Sequence, residues 1–125
     1  MRLLTPGELA PPSAAFSHGV VAGDLLFVSG QCGVDAQGNT VGQGDAAAQT
    51  RKAVENIEVV LREGGFELTD VVSVTTFLAS LEDFDDYDRA YGEAFGSHRP
   101  ARATVKADIN SPDLLVEIQA IAKRS

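Results

Sequence analysis

Two segments near the end of the chain carry side chains able to do chemistry. RPARATVKAD (99–108) sets Arg102 among small and β-branched residues, and LLVEIQAIA (114–122) is apolar except for Glu117 and Gln119. A guanidinium offers a planar fork that matches a carboxylate bidentately. An acid beside it can move a proton or handle a water. A buried strand rarely accepts a lone charge without a partner or a task. Arg102 and Glu117 therefore read either as a structural ion pair or as a site for a small carboxylate, and residue types and spacing leave both open. The remaining candidates are weaker. His18 and His98 are far apart in the chain, and neither sits at a ligand spacing with cysteine or a carboxylate, so both read as surface or loop histidines and no metal site is expected. The single cysteine, Cys32, has no base near it in sequence and reads as a packed thiol. No phosphate loop, dinucleotide fingerprint or nucleophile elbow is present.

These side chains need a scaffold, and its elements are legible in the residue pattern. Residues 1–4 predict a short edge strand ended by Pro6. HGVVAGDLLFVSGQ (18–31) has two apolar runs about Gly23-Asp24, the signal of a hairpin. LLFVSG opens with four apolar residues, as expected of a central strand covered on both faces, and ends at Ser29-Gly30, where glycine permits close approach. A glycine-punctuated loop follows. Asp45 then reads as the N-cap of a helix reaching Arg62, with Ala47, Thr50, Val54, Ile57 and Leu61 as its core stripe. Glu58 and Arg62 stand at i, i+4, and Gly64-Gly65 end the helix. DVVSVTTFLA (70–79) predicts a strand. Ser80 is placed to cap a second helix over about residues 82–95, with Phe84, Tyr87, Tyr91, Ala94 and Phe95 on one face.

The order β, β–β, α, β, α, β–β predicts two β-α-β units in one domain, residues 1–125. The expected class is α+β, a mixed sheet with two helices packed on one face. The other face stays bare in a single copy, and strands this apolar predict self-association through it. The register of the last two strands, and with it whether Arg102 and Glu117 meet within one subunit, stays open, because a slip of one residue exchanges the faces of a strand.

Bulk properties exclude several function classes. The chain of 125 residues is 44% hydrophobic and 22% charged, ordinary for a globular domain. No apolar run reaches the roughly 20 residues of a membrane helix, and the first residues make a poor secretory signal. One cysteine without a possible intrachain partner fits a cytoplasmic location. The net charge of −8 argues against a nucleic-acid surface but leaves room for a small anion at one arginine.

Five segments resemble the RidA/YjgF family of enamine/imine deaminases: LLFVSGQ (25–31), AQTRKAVENIEVVLREGG (48–65), DVVSVTTFLASLEDF (70–84), RPAR (99–102) and VEIQAIA (116–122). The resemblance implies a chorismate-mutase-like fold and a homotrimer, with the sheets forming a central barrel and the sites in clefts between subunits. It implies hydrolysis of 2-imino acids, or their 2-aminoacrylate-type enamine tautomers, to 2-keto acids and ammonia, without a cofactor. By the same resemblance Arg102 holds the substrate carboxylate, Glu117 positions or activates the water, and Ser29 and Gly30 line the pocket. Three positions depart from the family pattern: Phe16 where a tyrosine is common, Thr104 where cysteine or serine is common, and Asp88 in place of an asparagine. These bear on substrate preference, and an Asp88 facing the cleft would repel an anion. Phe16 and Asp88 favour an alternative, a non-catalytic carboxylate-binding or regulatory protein on the same scaffold. A ribonuclease role, attributed to some relatives, is opposed by the charge and by the lack of a histidine acid/base pair.

Overall fold

Burial along the closing strand alternates with a period of two: Val116, Ile118, Ala120 and Ala122 are buried, while Gln119 and Lys123 are exposed. That pattern belongs to a sheet with one covered face. The computed structural model, which describes residues 1–125, contains one six-stranded sheet. Its strands are β1 (Arg2–Leu4), β2 (Gly19–Ala22), β3 (Leu25–Cys32), β4 (Val71–Leu78), β5 (Ala101–Lys106) and β6 (Val116–Lys123), and its helices are α1 (Ala46–Glu63) and α2 (Phe84–Phe95). The strand order is β1-β2-β3-β6-β4-β5. All pairings are antiparallel except β4 with β5, which is parallel across the α2 crossover. The mixed α+β architecture is the expected one. No helix is long and apolar enough to cross a membrane.

Both helices lie on one face of the sheet and enclose the core with it. α1 packs on β3, β6 and α2, burying Thr50, Val54, Ile57 and Leu61 of the expected stripe and also Ala53 and Val60. Leu26, Val28, Val74, Leu78, Ile118 and Tyr87 meet them in a single cluster. Each fully buried Val, Leu or Ile contributes roughly 1.5–3 kcal/mol. Asp45 caps α1 as its position predicts, its side chain accepting from the Ala48 N–H at 3.0 Å. The chain leaves α1 through Gly65, whose φ of +79° favours glycine.

Four local expectations are corrected. Within a single copy β3 is covered on one face only, and Phe27 is left 42% exposed. Arg62 reaches Glu8 at 3.7 Å rather than Glu58, because the chain before β2 folds over α1. Ser80 caps a short 3₁₀ turn, Leu81–Asp83, by accepting from the Glu82 N–H at 3.2 Å, and α2 starts only at Phe84. His18 lies in a loop, just before β2, but is buried at 8% exposure rather than superficial. Its Nε2 bonds the Ala10 carbonyl at 2.8 Å and its Nδ1 faces the Gln31 amide nitrogen at 3.2 Å.

Candidate active site

Glu117 projects from the face of the sheet that the helices leave bare. Its cross-strand neighbours are Cys32 on β3 and Phe77 on β4, and directly opposed residues share a face. Between Val28 and Gln31, β3 carries one residue more than β6 spans, so Ser29-Gly30 forms a bulge beside the carboxylate. A Cβ built on Gly30 would collide with Glu117 Oε2, so the glycine makes the space that the acid occupies. Ser29 Oγ donates to the Ser17 carbonyl at 2.6 Å and Ser29 N to the His18 carbonyl at 2.9 Å. These bonds hold the Phe16–His18 segment against the bulge, with the Phe16 ring edge-on to His18 at 6.1 Å. The Cys32 thiol donates to Glu117 Oε1 at 3.5 Å. Burial, and then the nearby Glu117 charge, push that thiol up to about 12. Cys32 is thus a protonated donor rather than a nucleophile. A cleft of about 240 Å³ runs from Glu117 past Phe77 to residues 107–110.

Arg102 lies on the opposite face. It is in register with Val74, and Val74 with Ala120, both buried under the helices. α2 supplies its surroundings because Phe84, Asp88 and Tyr91 recur at four and three residues and so share one helical face. The Arg102 Cζ stands 4.7 Å from the Tyr91 ring centroid, 5.2 Å from Tyr87 and 5.9 Å from Phe84. Such cation–π contacts are worth about 0.5–1 kcal/mol each at exposed sites, and together they pin the guanidinium. Asp88 Oδ1 forms an ion pair with Arg102 Nη2 at 2.9 Å. Below it, the Tyr87 hydroxyl donates to Thr76 Oγ1 at 2.6 Å and lies 3.3 Å from Thr104 Oγ1. The Tyr91 hydroxyl is buried without a partner. Burial chiefly, with the neighbouring Tyr87, raises it to about 12, against the opposing pull of Arg102 and Arg99. Asp88, Tyr91, Arg99 and Arg102 line a cleft of about 510 Å³.

The sequence candidates therefore form two groups. Ser29, Gly30 and Glu117, with Phe16 close by, make one; Asp88, Arg102 and Thr104 make the other. Since β4 lies between β5 and β6, the last two strands do not pair. With the two side chains on opposite faces, an Arg102–Glu117 ion pair within one chain is ruled out, and the partner of Arg102 is Asp88. Sequence reasoning missed the donors that hold each group. Cys32 faces Glu117 only across a non-local strand pair. Tyr87 and Tyr91 read as core aromatics and also form the seat of Arg102. Gln49 and Asn56 lie outside the expected core stripe of α1, yet both are buried. Asn56 Nδ2 donates to the Cys32 and Val34 carbonyls at 3.1 and 3.0 Å, and Gln49 ties the loop before α1 to the one before β6. The sequence offers only their adjacency to the stripe residues Thr50 and Ile57, which does not name their partners.

The family model described as Endoribonuclease L-PSP matches residues 7–124. The chain is 39% identical over 116 residues to a RutC family protein of Pyrococcus horikoshii, covering 92% of each. It is 35% identical over 120 residues to the 3-aminoacrylate deaminase RutC of Acinetobacter baylyi, covering 96% of this chain and 95% of that one. Among solved structures it resembles E. coli TdcF with bound serine, at 28% identity and a TM-score of 0.92 over 100% of both chains.

Proposed function

The chain belongs to the RidA/YjgF family, which includes the RutC and L-PSP proteins, and from that premise we propose that it hydrolyses small, reactive 2-imino acids to 2-keto acids. The observation that carries this reading is the Arg102 guanidinium, pinned against three aromatic rings at the wall of an open cleft. A cation fixed in that way is prepared for a substrate carboxylate without further ordering cost. Support for the reaction class comes from the relative named as a 3-aminoacrylate deaminase and, for ligand class, from the structural relative holding serine, an amino acid with a free carboxylate.

The net reaction is R–C(=NH₂⁺)–COO⁻ + H₂O → R–CO–COO⁻ + NH₄⁺. Protonation makes the imine carbon electrophilic, so the protein supplies orientation and a placed water rather than a redox or covalent partner. Arg102 fixes the carboxylate. Glu117 takes a proton from the attacking water and returns it to the nitrogen, then takes the carbinolamine hydroxyl proton as the C–N bond breaks and passes it to the departing ammonia, which leaves as ammonium. Ser29 and Gly30 shape the wall beside Glu117, while Thr104 and Phe16 set the size of the pocket. Because Arg102 and Glu117 face opposite sides of one sheet, a complete site takes Arg102 from one copy and Glu117 from the next. The bare face that exposes Phe27 and Val105 offers a surface for assembly, a homotrimer by family likeness, and β5, the edge strand of the sheet, carries Arg102 at the rim where a neighbouring copy meets it.

The Asp88–Arg102 pair favours one other reading, a carboxylate-binding protein without turnover. One assay separates the two. With 2-iminobutyrate generated in situ by a dehydratase acting on threonine, the protein is expected to accelerate release of 2-ketobutyrate. Arg102→Ala is expected to lower kcat/KM by roughly ten- to a hundredfold, as loss of a charged hydrogen-bonding partner would. Binding of 2-ketobutyrate without acceleration supports the binder, and full activity in Arg102→Ala overturns the assigned role.

A further inference from the structure

Arg102 does not present a bare cation to its cleft. Asp88 already contacts one guanidinium nitrogen, and the two side chains are 22% and 50% exposed, so both face the solvent from which a ligand arrives. The neighbouring charges do not release Arg102 from this contact. Arg89 pairs with Asp86 at 3.0 Å, and Arg99 is bonded to the carbonyls of Gly96 and His98. An incoming monoanion would meet the attraction of Arg102 and the repulsion of Asp88 at close range. A ligand carrying a carboxylate and an adjacent cation would meet attraction twice. Pairs this exposed contribute little to stability, so tying α2 to β5 is a weak reason for the contact. The geometry is also fixed from both sides, by the rings that pin the guanidinium and by the helical face that aims Asp88 at it.

We propose that Asp88 and Arg102 act together as a recognition pair for a zwitterion, Arg102 taking the carboxylate and Asp88 the positively charged nitrogen on the adjoining carbon. The inference rests on the reading of Arg102 as the carboxylate clamp and names the form of substrate that the cleft selects, the protonated iminium. In that ligand the carboxylate and the nitrogen-bearing carbon are directly bonded, so both charges arrive within reach of one contacting Arg–Asp pair. Asp88 then has two effects on the reaction. It holds the substrate in its protonated, electrophilic form. It also discriminates against the product, because ammonium carries the positive charge away and leaves a 2-keto acid, a monoanion, facing a carboxylate. Asp88 is thus a specificity-determining residue that speeds product release instead of a simple obstacle to anions.

The test compares binding of two stable ligands of one carbon skeleton, 2-aminobutyrate as the zwitterion and 2-ketobutyrate as the monoanion, to the intact protein by calorimetry. Wild type is expected to bind the amino acid about tenfold or more tightly, the order given by one charge at contact distance in a solvent-exposed cleft. Asp88→Asn is expected to erase that preference by weakening 2-aminobutyrate and tightening 2-ketobutyrate, with Asp88→Ala repeating the result. Equal wild-type affinities, no binding of either ligand, or an Asp88→Asn variant that shifts both in parallel would overturn the proposal. Keto-acid release, measured alongside, separates the two readings. Turnover without zwitterion preference defeats this inference alone, whereas preference without turnover upholds it and defeats the deaminase.

Discussion

At the scale of single residues, the acid on β6 has the most exact surroundings. Glu117 fits because residue 30 has no side chain, and one oxygen is held by the Cys32 thiol. As the proposed handler of water and protons, it sets an expectation for Glu117→Gln: kcat lower by about 10²–10⁴-fold, with KM changed little, since Arg102 still holds the carboxylate. Steady-state kinetics on the in-situ imine reads both constants. Cys32 makes a second prediction. Its thiol is raised from 9.0 to about 12 in the fold, first by burial and then by Glu117. The folded chain therefore keeps this proton to higher pH than the unfolded chain does. The stabilisation is fully present below pH 9 and is lost as the pH climbs toward 12. Denaturation midpoints across that window should fall, and they should fall less in Cys32→Val. Iodoacetamide at pH 8 should label the native thiol far more slowly than the unfolded one.

At the scale of elements, α1 does more than cover the sheet. Its apolar stripe was readable from sequence because it repeats every three or four residues. Its amides Gln49 and Asn56 were not, since their partners are backbone groups in loops far along the chain. Asn56 satisfies the carbonyls of Cys32 and Val34, where β3 ends next to Glu117. Asn56→Leu removes the donor for both. Each buried acceptor left without a partner costs about 1–3 kcal/mol, so urea denaturation should show a loss of roughly 2 kcal/mol or more. α2 was legible as an amphipathic helix, but the same face proves to serve two ends, a core contact through Tyr87 and Tyr91 and a seat for Arg102.

At the scale of the whole molecule, one face of the sheet is finished and the other is not. Phe27 and Val105 are 42% and 44% exposed on the side away from the helices. A single copy also keeps the two groups of site residues apart. Association through the bare face, the homotrimer proposed above, meets the first fact, and the edge position of β5 brings Arg102 to the rim of that contact to meet the second. Phe27→Lys puts a charge in that contact. Sedimentation equilibrium should show the wild type as a trimer at micromolar concentration and the variant as a smaller species. On the proposed sharing of each site between copies, deaminase activity should fall with it.

The sequence by itself determined which segments are strands and helices, where Asp45 and the glycines bound them, and which residue types are equipped for chemistry. These are local properties, governed by periodicities of two and of three to four residues and by caps a few positions away. Likeness of motif further singled out Arg102, Glu117, Ser29 and Gly30. Only the tertiary structure decided that β6 inserts between β3 and β4, which parts Arg102 from Glu117 across the sheet and sets Cys32 against the acid. It likewise decided that Asp88 meets Arg102. Strand order and register depend on packing between segments remote in sequence, and no local period encodes them.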